Sequence, residues 1–429
     1  MAYNVLCGDA FIKLKEFQDN YFDSCILDGP YGLRFMGKTW DTFDIKSKGE
    51  QRDSYAVGEK RLAKGRTTTG FGNSIEAGKY DQSREANLNF QRWFEQLARE
   101  IIRVLKPGAY FLSFGGTRTY HRMICGIEDA GFEIRDCIMW TFGSGFPKSY
   151  NLTDDLGTAL KPAWEPICMA RKPLDGTIEQ NFKKYGTGVL NIGATRIPGE
   201  PWTFGTQTDI KGGNYGTNRP SNGNILAKNV TGGEDGRWPA NLIHDGSDEV
   251  IQEFPDAPGQ MADVRGTEPS MANSGTTSMG KMNRVGSRPK RADSNKSGAR
   301  FFYCAKTSHS DRNEGLESWQ KKTLNWSSGT QNPGSFQSPN TDRTHQNNHP
   351  TVKPTKLMRY LAVLITPPAG KIIDPCCGSG STGKGGIIEG FDVTLIDQEQ
   401  QWVDVAIARC AHATKVRLKL ERTGKQLSL

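Results

Sequence analysis

The chain has 429 residues, of which 35% are hydrophobic and 49 are glycine, with a formal net charge of +8 and a pI near 8.9. This length predicts one large domain with a smaller module, and the mild basic excess permits a polyanionic partner without requiring one. No apolar run reaches the roughly 18 residues of a membrane span. No charged-then-apolar leader opens the chain, and the nine cysteines include no C-x-x-C pair, so a membrane protein, a secreted protein and a zinc site are not expected. A cytoplasmic, reducing setting fits.

In chain order, residues 23–27 predict a buried strand ending in the loop Asp28-Gly29-Pro30-Tyr31. Residues 46–87 are polar and Gly-rich and read as a long loop. Phe90, Phe94, Leu97, Ile101 and Leu105 share one face of a helix over 89–105, stopped by Lys106-Pro107-Gly108. A strand over 109–114, a helix over 121–130 and a strand over 132–140 follow. This alternation predicts a parallel sheet. Lys161 and Glu165 lie near a further strand candidate and read as a structural ion pair.

Composition changes after about residue 172. Gly, Asn and Thr dominate 199–236, and 256–300 carries Gly, Ser, Met and basic residues with little periodicity, so a loop-rich module is expected. Between Lys281 and Arg312 nine Lys/Arg face only Asp293 and Asp311. Arg288, Lys290 and Arg291 at its centre suit phosphate contact, with a solvated loop as the alternative. Regular patterning returns at His349: a helix over 356–365, a strand at 372–373, a helix over 381–389, a strand over 392–396 and a helix over 402–418.

Two loops carry chemistry. Gly378-Ser379-Gly380-Ser381-Thr382-Gly383 matches G-x-G-x-x-G, between a strand ending at Asp374 and a helix, with Asp397 closing the next strand. Glycines let the backbone approach a ligand, and an acid in that place accepts from ribose hydroxyls. The pattern suits NAD and S-adenosylmethionine alike. The loop after residue 27 decides between them. An exocyclic base amine is a poor nucleophile, because its lone pair is delocalised into the ring. Acceptors on its two hydrogens favour the tetrahedral nitrogen that attack requires. Asp28 and the Gly29 carbonyl supply two acceptors, Pro30 fixes the loop and Tyr31 offers a ring for stacking. The two loops together point to methyl transfer from S-adenosylmethionine to a base amino group.

These motifs resemble those of the amino-group DNA methyltransferases of the circularly permuted β class, including phage-borne solitary enzymes. Asp28-Gly29-Pro30-Tyr31 is similar to their (D/N/S)-P-P-(Y/F) motif. The segment from Asp374 to Thr382 is similar to D-P-F-x-G-S-G-T-T, and the order of the two motifs is the permuted one. The resemblance implies an α/β fold: a Rossmann-like class I S-adenosylmethionine-dependent methyltransferase sheet. Residues 1–172 and 346–429 would be catalytic, with a loop-rich target-recognition module inserted at 173–345. It implies that Asp9 and Ala10, in Gly8-Asp9-Ala10, lie near the cofactor adenine. Lys353, in the segment His349 to Pro354, would close over the methionine end, and Asp374, Cys376, Gly378, Ser379, Gly380, Ser381, Thr382 and Asp397 would complete the cofactor site. Trp140 or Phe146 would lie against a flipped base, or else serve as core or lid residues. Two departures stand out: Gly29 replaces the usual first Pro, and Cys376 the usual Phe. The implied partner is duplex DNA, bound by a monomer or homodimer. Asp28 favours adenine as target over cytosine. A catalytically idle DNA-binding protein of the same fold is the alternative from another class.

Overall fold

The computed structural model describes residues 3–33, 41, 43, 83–145, 152–153, 155–199, 202–203, 231–232, 236–257, 297–305, 310–323 and 344–424. Its first elements are β1 (Tyr3–Cys7), α1 (Ala10–Leu14) and β2 (Phe22–Leu27). All six residues of β2 are buried, as a strand covered on both faces requires. The long helix α2 (Arg84–Val104) buries Phe90, Phe94, Leu97, Ala98 and Ile101, the face its spacing predicts. It begins earlier than expected. The Ser83 hydroxyl accepts from the Ala86 amide, so 84–87, expected to be loop, form the first helical turn. The chain then turns straight into β3 (Leu105–Phe114), whose seven residues from Gly108 to Phe114 are buried.

Next come α3 (Tyr120–Asp129), β4 (Glu133–Thr141), β5 (Trp164–Arg171), α4 (Ile178–Tyr185) and β6 (Leu242–His244). The C-terminal part adds α5 (Thr355–Ile365), β7 (Lys371–Asp374), α6 (Ser381–Glu389), β8 (Asp392–Asp397) and α7 (Gln400–Thr423). In the main sheet these strands lie in the order β1-β8-β7-β2-β3-β5-β4-β6. From β1 to β3 all neighbours are parallel. The expectation of a parallel sheet fails at β5, which is antiparallel to both β3 and β4. Among the described residues no helix lies between β4 and β5, and consecutive strands joined without a crossover helix pair antiparallel.

The sheet has a switch point. From β7 the chain passes through α6 to β8 on one side; from β2 it passes through α2 to β3 on the other. Connections leaving adjacent parallel strands in opposite directions open a crevice at their carboxyl ends, where open α/β sheets bind ligands. The loops of interest are those that follow β2 and β7.

The chain divides into two compact units. The first comprises Met1–Ala194, Asn241–Ser247 and Cys304–Leu429, and holds the sheet; the second comprises Thr195–Ala240 and Asp248–Tyr303. Residues 173–194 and the described residues of 304–345, placed in the insert by composition, thus fall within the first unit. One reason is Asn181 of α4, fully buried, whose Nδ2 donates to the carbonyls of Pro107 (3.0 Å) and Thr187 (2.9 Å). Among the described residues, no helix is long and apolar enough to cross a membrane, and no three His, Cys, Asp or Glu side chains form a metal-binding group.

Candidate active site

The loop after β2 carries Asp28, Gly29, Pro30 and Tyr31, with Gly29 and Pro30 buried. The Thr119 hydroxyl, at the start of α3, donates to the Tyr31 carbonyl at 2.5 Å and fixes the loop's exit. Tyr31 Oη donates toward Asp28 Oδ1 (3.0 Å) and lies 3.2 Å from Glu165 Oε2. Lys353 Nζ completes the group. It forms ion pairs with Asp28 Oδ1 at 3.1 Å and Glu165 Oε2 at 3.0 Å and donates to Tyr31 Oη at 3.1 Å. The Lys353 side chain is only 6% exposed, and its charge lies 4.9 Å from the Phe114 ring centre and 5.9 Å from that of Trp140. Burial pushes the Asp28 carboxyl above its usual range; Lys353 opposes this and Glu165 adds to it.

Glu165 reaches this group because β5 is antiparallel. Its first residues lie at the same edge of the sheet as the last residues of β3 and β4, and Glu165 pairs with Trp140 in the β4–β5 register. The expected ion pair with Lys161 is replaced by one with Lys353. Trp140 itself is 8% exposed, tilted against Phe142 at 5.2 Å, and its indole N–H has no hydrogen-bond partner among the described residues.

The loop after β7 is held by its own hydroxyls. Thr382 Oγ1 donates to Asp374 Oδ2 at 2.5 Å, and the Cys376 amide donates to Oδ1 at 3.1 Å. Gly378 and Gly380 have φ of +49° and +75°, in the region that favours glycine, and Gly380 caps α6. Gly383 supports close packing: a Cβ there would meet Leu395 Cδ1 at 2.5 Å and Cys410 Sγ at 2.7 Å. Arg409 of α7, fully buried, reaches under the loop. Its Nη1 donates to the Ser379 carbonyl (2.8 Å) and to the hydroxyls of Ser379 and Ser381 (3.2 Å each). The side chains of Ser379, Ser381 and Thr382 therefore shape the loop.

The carboxylates converge. Asp397, at the end of β8, accepts from the Gly378 amide on Oδ2 and the Glu399 amide on Oδ1, both at 2.9 Å. Beside it, Cys7 is its register partner and the Gly8 amide donates to its carbonyl at 2.9 Å. Asp9 Oδ1 caps α1 through the amides of Phe11 (2.8 Å) and Ile12 (3.3 Å), and Ala10 opens that helix. Burial raises the Cys376 thiol well above its usual value, and the charges of Asp374, Asp397, Asp28 and Asp9 raise it further. Cys376 thus lies within electrostatic reach of four acids. Such surroundings fit a ligand that combines ribose hydroxyls with positive charge.

The first unit also holds a feature the sequence did not announce. The turn after residue 310 lies against the C-terminal half. Asp311 accepts from Lys384 Nζ (2.5 Å) and from the Thr355 hydroxyl and amide (2.5 and 2.7 Å). Arg312 Nη1 donates to the His349 carbonyl at 2.8 Å, close in sequence to Lys353. Phe146, Arg288, Lys290 and Arg291 lie outside the described residues.

A family model described as DNA methylase, of the N6/N4 type, matches residues 22–408. The chain belongs to this N6/N4 DNA methylase family. Its match spans both loops and all strands from β2 to β8. Among curated relatives, the type II methyltransferase M.HindIII of Haemophilus influenzae is 23% identical over 202 residues, 43% of this chain and 63% of the relative. The chain thus spans less than two thirds of that relative's length. The M1.HpyAVI–SAM complex shares 13% identity, with a TM-score of 0.36 over 95% of this chain and 98% of that one. The cytosine-N4-specific PvuII DNA methyltransferase shares 12%, with a TM-score of 0.43 over 98% of this chain and 94% of that one.

Proposed function

We propose that this family member is a site-specific adenine DNA methyltransferase of the permuted β class, using S-adenosylmethionine on duplex DNA. The observation that carries the reading is the pairing of β2 and β7 at the switch point. It sets the Asp28–Tyr31 loop beside the Asp374–Thr382 loop. The cofactor supplies a methyl group on a sulfonium. The Gly378–Gly380 backbone and Asp397 would hold its nucleoside, Asp9 and Ala10 would border the adenine, and Cys376 would leave room where the family carries Phe.

Asp28 does the chemistry on the target amine. Its Oδ1 is engaged by Tyr31 and Lys353, so Oδ2 is the oxygen offered to the amine. The Gly29 carbonyl takes the second hydrogen. Asp28 would receive the proton that the amine gives up on methylation. Tyr31 and Trp140 line the place of the flipped base. The second unit serves target recognition. There Arg196 lies 5.6 Å over Trp238, 66% exposed, and Arg300 lies 4.2 Å over Phe301, a cation–aromatic surface suited to nucleic acid.

The test is transfer of labelled methyl groups to unmethylated DNA, followed by nucleoside analysis. The expected product is N6-methyladenine. Asp28→Ala should abolish transfer while the variant still folds and binds cofactor. N4-methylcytosine would move the target to cytosine. DNA binding without transfer by the parent would favour an idle binder, and full activity in Asp28→Ala would remove Asp28 from the mechanism.

A further inference from the structure

The proposed role of Asp28 raises an electrostatic problem. Its carboxylate is bonded to the Lys353 ammonium, and a carboxylate–ammonium pair is neutral. A neutral pair stabilises a developing positive charge on the amine poorly. Glu165 changes this balance. It shares the same ammonium at 3.0 Å and the same tyrosine hydroxyl at 3.2 Å, so the group of two carboxylates and one lysine carries a net charge of about −1 when ionised.

We propose that Glu165 is a positioning residue for methyl transfer: it takes up the charge of Lys353 so that Asp28 faces the target amine with its negative charge intact. The proposal rests on the reading of Asp28 given above and deepens it. Three features fit. Lys353 Nζ lies within 3.1 Å of all three partners, paired with two carboxylates and bonded to the Tyr31 hydroxyl, so its position depends on Glu165 as much as on Asp28. The rings of Phe114 and Trp140 lie near the ammonium, in surroundings with little water to screen the charges. Glu165 reaches the group only because β5 runs antiparallel between β3 and β4.

The groups facing Asp28 are Tyr31 from its own loop, Lys353 from the segment before α5, Glu165 from β5, and Asp374 and Cys376 from the loop after β7. Glu165 raises the Asp28 carboxyl and Lys353 lowers it. Activity requires the ionised form, so it falls as pH drops through the Asp28 value. Removing the Glu165 charge moves that acid limb to lower pH; removing the Lys353 charge moves it to higher pH.

The experiment measures kcat against pH at saturating cofactor and DNA for the parent, Glu165→Gln, Glu165→Asp and Lys353→Met, with a thermal melt of each. Glu165→Gln should lower the plateau by about tenfold, less than the roughly 10²-fold typical of a group that touches the reacting atoms. Its acid limb should move down, with KM for DNA within about twofold of the parent. Glu165→Asp, which keeps the charge, should hold the parent's limb. Lys353→Met should move the limb the other way, and it carries the test if Glu165→Gln does not fold. Limbs that stay in place in both variants, or a Glu165→Gln loss found only in KM and melting temperature, would overturn the proposal. A parent that transfers no methyl group defeats the reading of function itself, a result distinct from an active parent with unmoved limbs.

Discussion

At the scale of single residues, the loop after β7 concentrates unusual chemistry. Burial lifts the Asp374 carboxyl from 3.8 to about 7, against the pull of the Thr382 hydroxyl and the Cys376 amide; the charges of Asp28 and Asp397 lift it further. The folded chain thus holds this proton more tightly than the unfolded chain does. The stability it contributes is complete below the unfolded value near 3.8 and is lost as pH rises through about 7. Asp374→Asn carries no charge at any pH, so its melting temperature should fall less than the parent's between about pH 5 and pH 8. Parallel slopes would place the lost proton elsewhere. Gly380 is constrained differently. With φ at +75°, a Cβ there would lie 2.9 Å from Ala406 Cα and 2.8 Å from Ala406 Cβ, and a backbone atom of α7 does not yield as a side-chain tip does. Left-handed strain of about 1–2 kcal/mol and overpacking of about 1–3 kcal/mol should add in Gly380→Ala. Chemical denaturation should show the loss, and an unchanged midpoint would mean that α7 moves aside.

At the scale of elements, the turn containing Asp311 connects the start of α5 to the middle of α6. Lys384 is 1% exposed, and its counter-ions are Asp311 at 2.5 Å and Glu314 at 2.8 Å. Burial alone would raise the Asp311 carboxyl, but Lys384 and Thr355 outweigh it and hold the value below the usual range. Asp311→Asn strips the buried ammonium of its nearest charge, a change that typically costs about 3–5 kcal/mol. Glu314, still in place, puts the expected cost near the lower figure. Adding Lys384→Met should recover part of the loss, because no buried charge then remains unpaired; denaturation midpoints of the three proteins decide it. This pair also shows where sequence reading stopped. The spacing from Phe90 to Ile101 foretold the buried face of α2, the run Cys25-Ile26-Leu27 foretold β2, and the three glycines after Cys377 foretold the tight loop between β7 and α6. Each of these signals is local. Asp311 lies 73 residues from Lys384, and Glu165 lies 134 residues from Tyr31. Both are brought in by chain returns that no periodicity records. β1 was missed although Val5-Leu6-Cys7 is an apolar run as long as the one that foretold β2.

At the scale of the whole molecule, the net charge of +8 is modest for the proposed grip on a polyanion, so its distribution matters more than its sum. Arg288, Lys290 and Arg291 stand in the most basic stretch, where nine Lys/Arg meet two acids between Lys281 and Arg312. A phosphate contact releases counterions, and each one adds about 0.9 to the slope of log binding constant against log salt. If all three side chains contact phosphate, replacing them with Gln should flatten the slope by about 2.7 and weaken binding alike on target and non-target duplexes. Base contacts behave otherwise: their loss lowers the preference for target over non-target and leaves the slope nearly unchanged. Fluorescence anisotropy from about 50 to 200 mM salt on both duplexes separates the two. A slope and affinity equal to the parent's would make the stretch a solvated loop. A slope unchanged but a lost preference would make it a reader of bases. The expected result, a flatter slope with preference retained, assigns these residues to holding the duplex and leaves the choice of site to other residues.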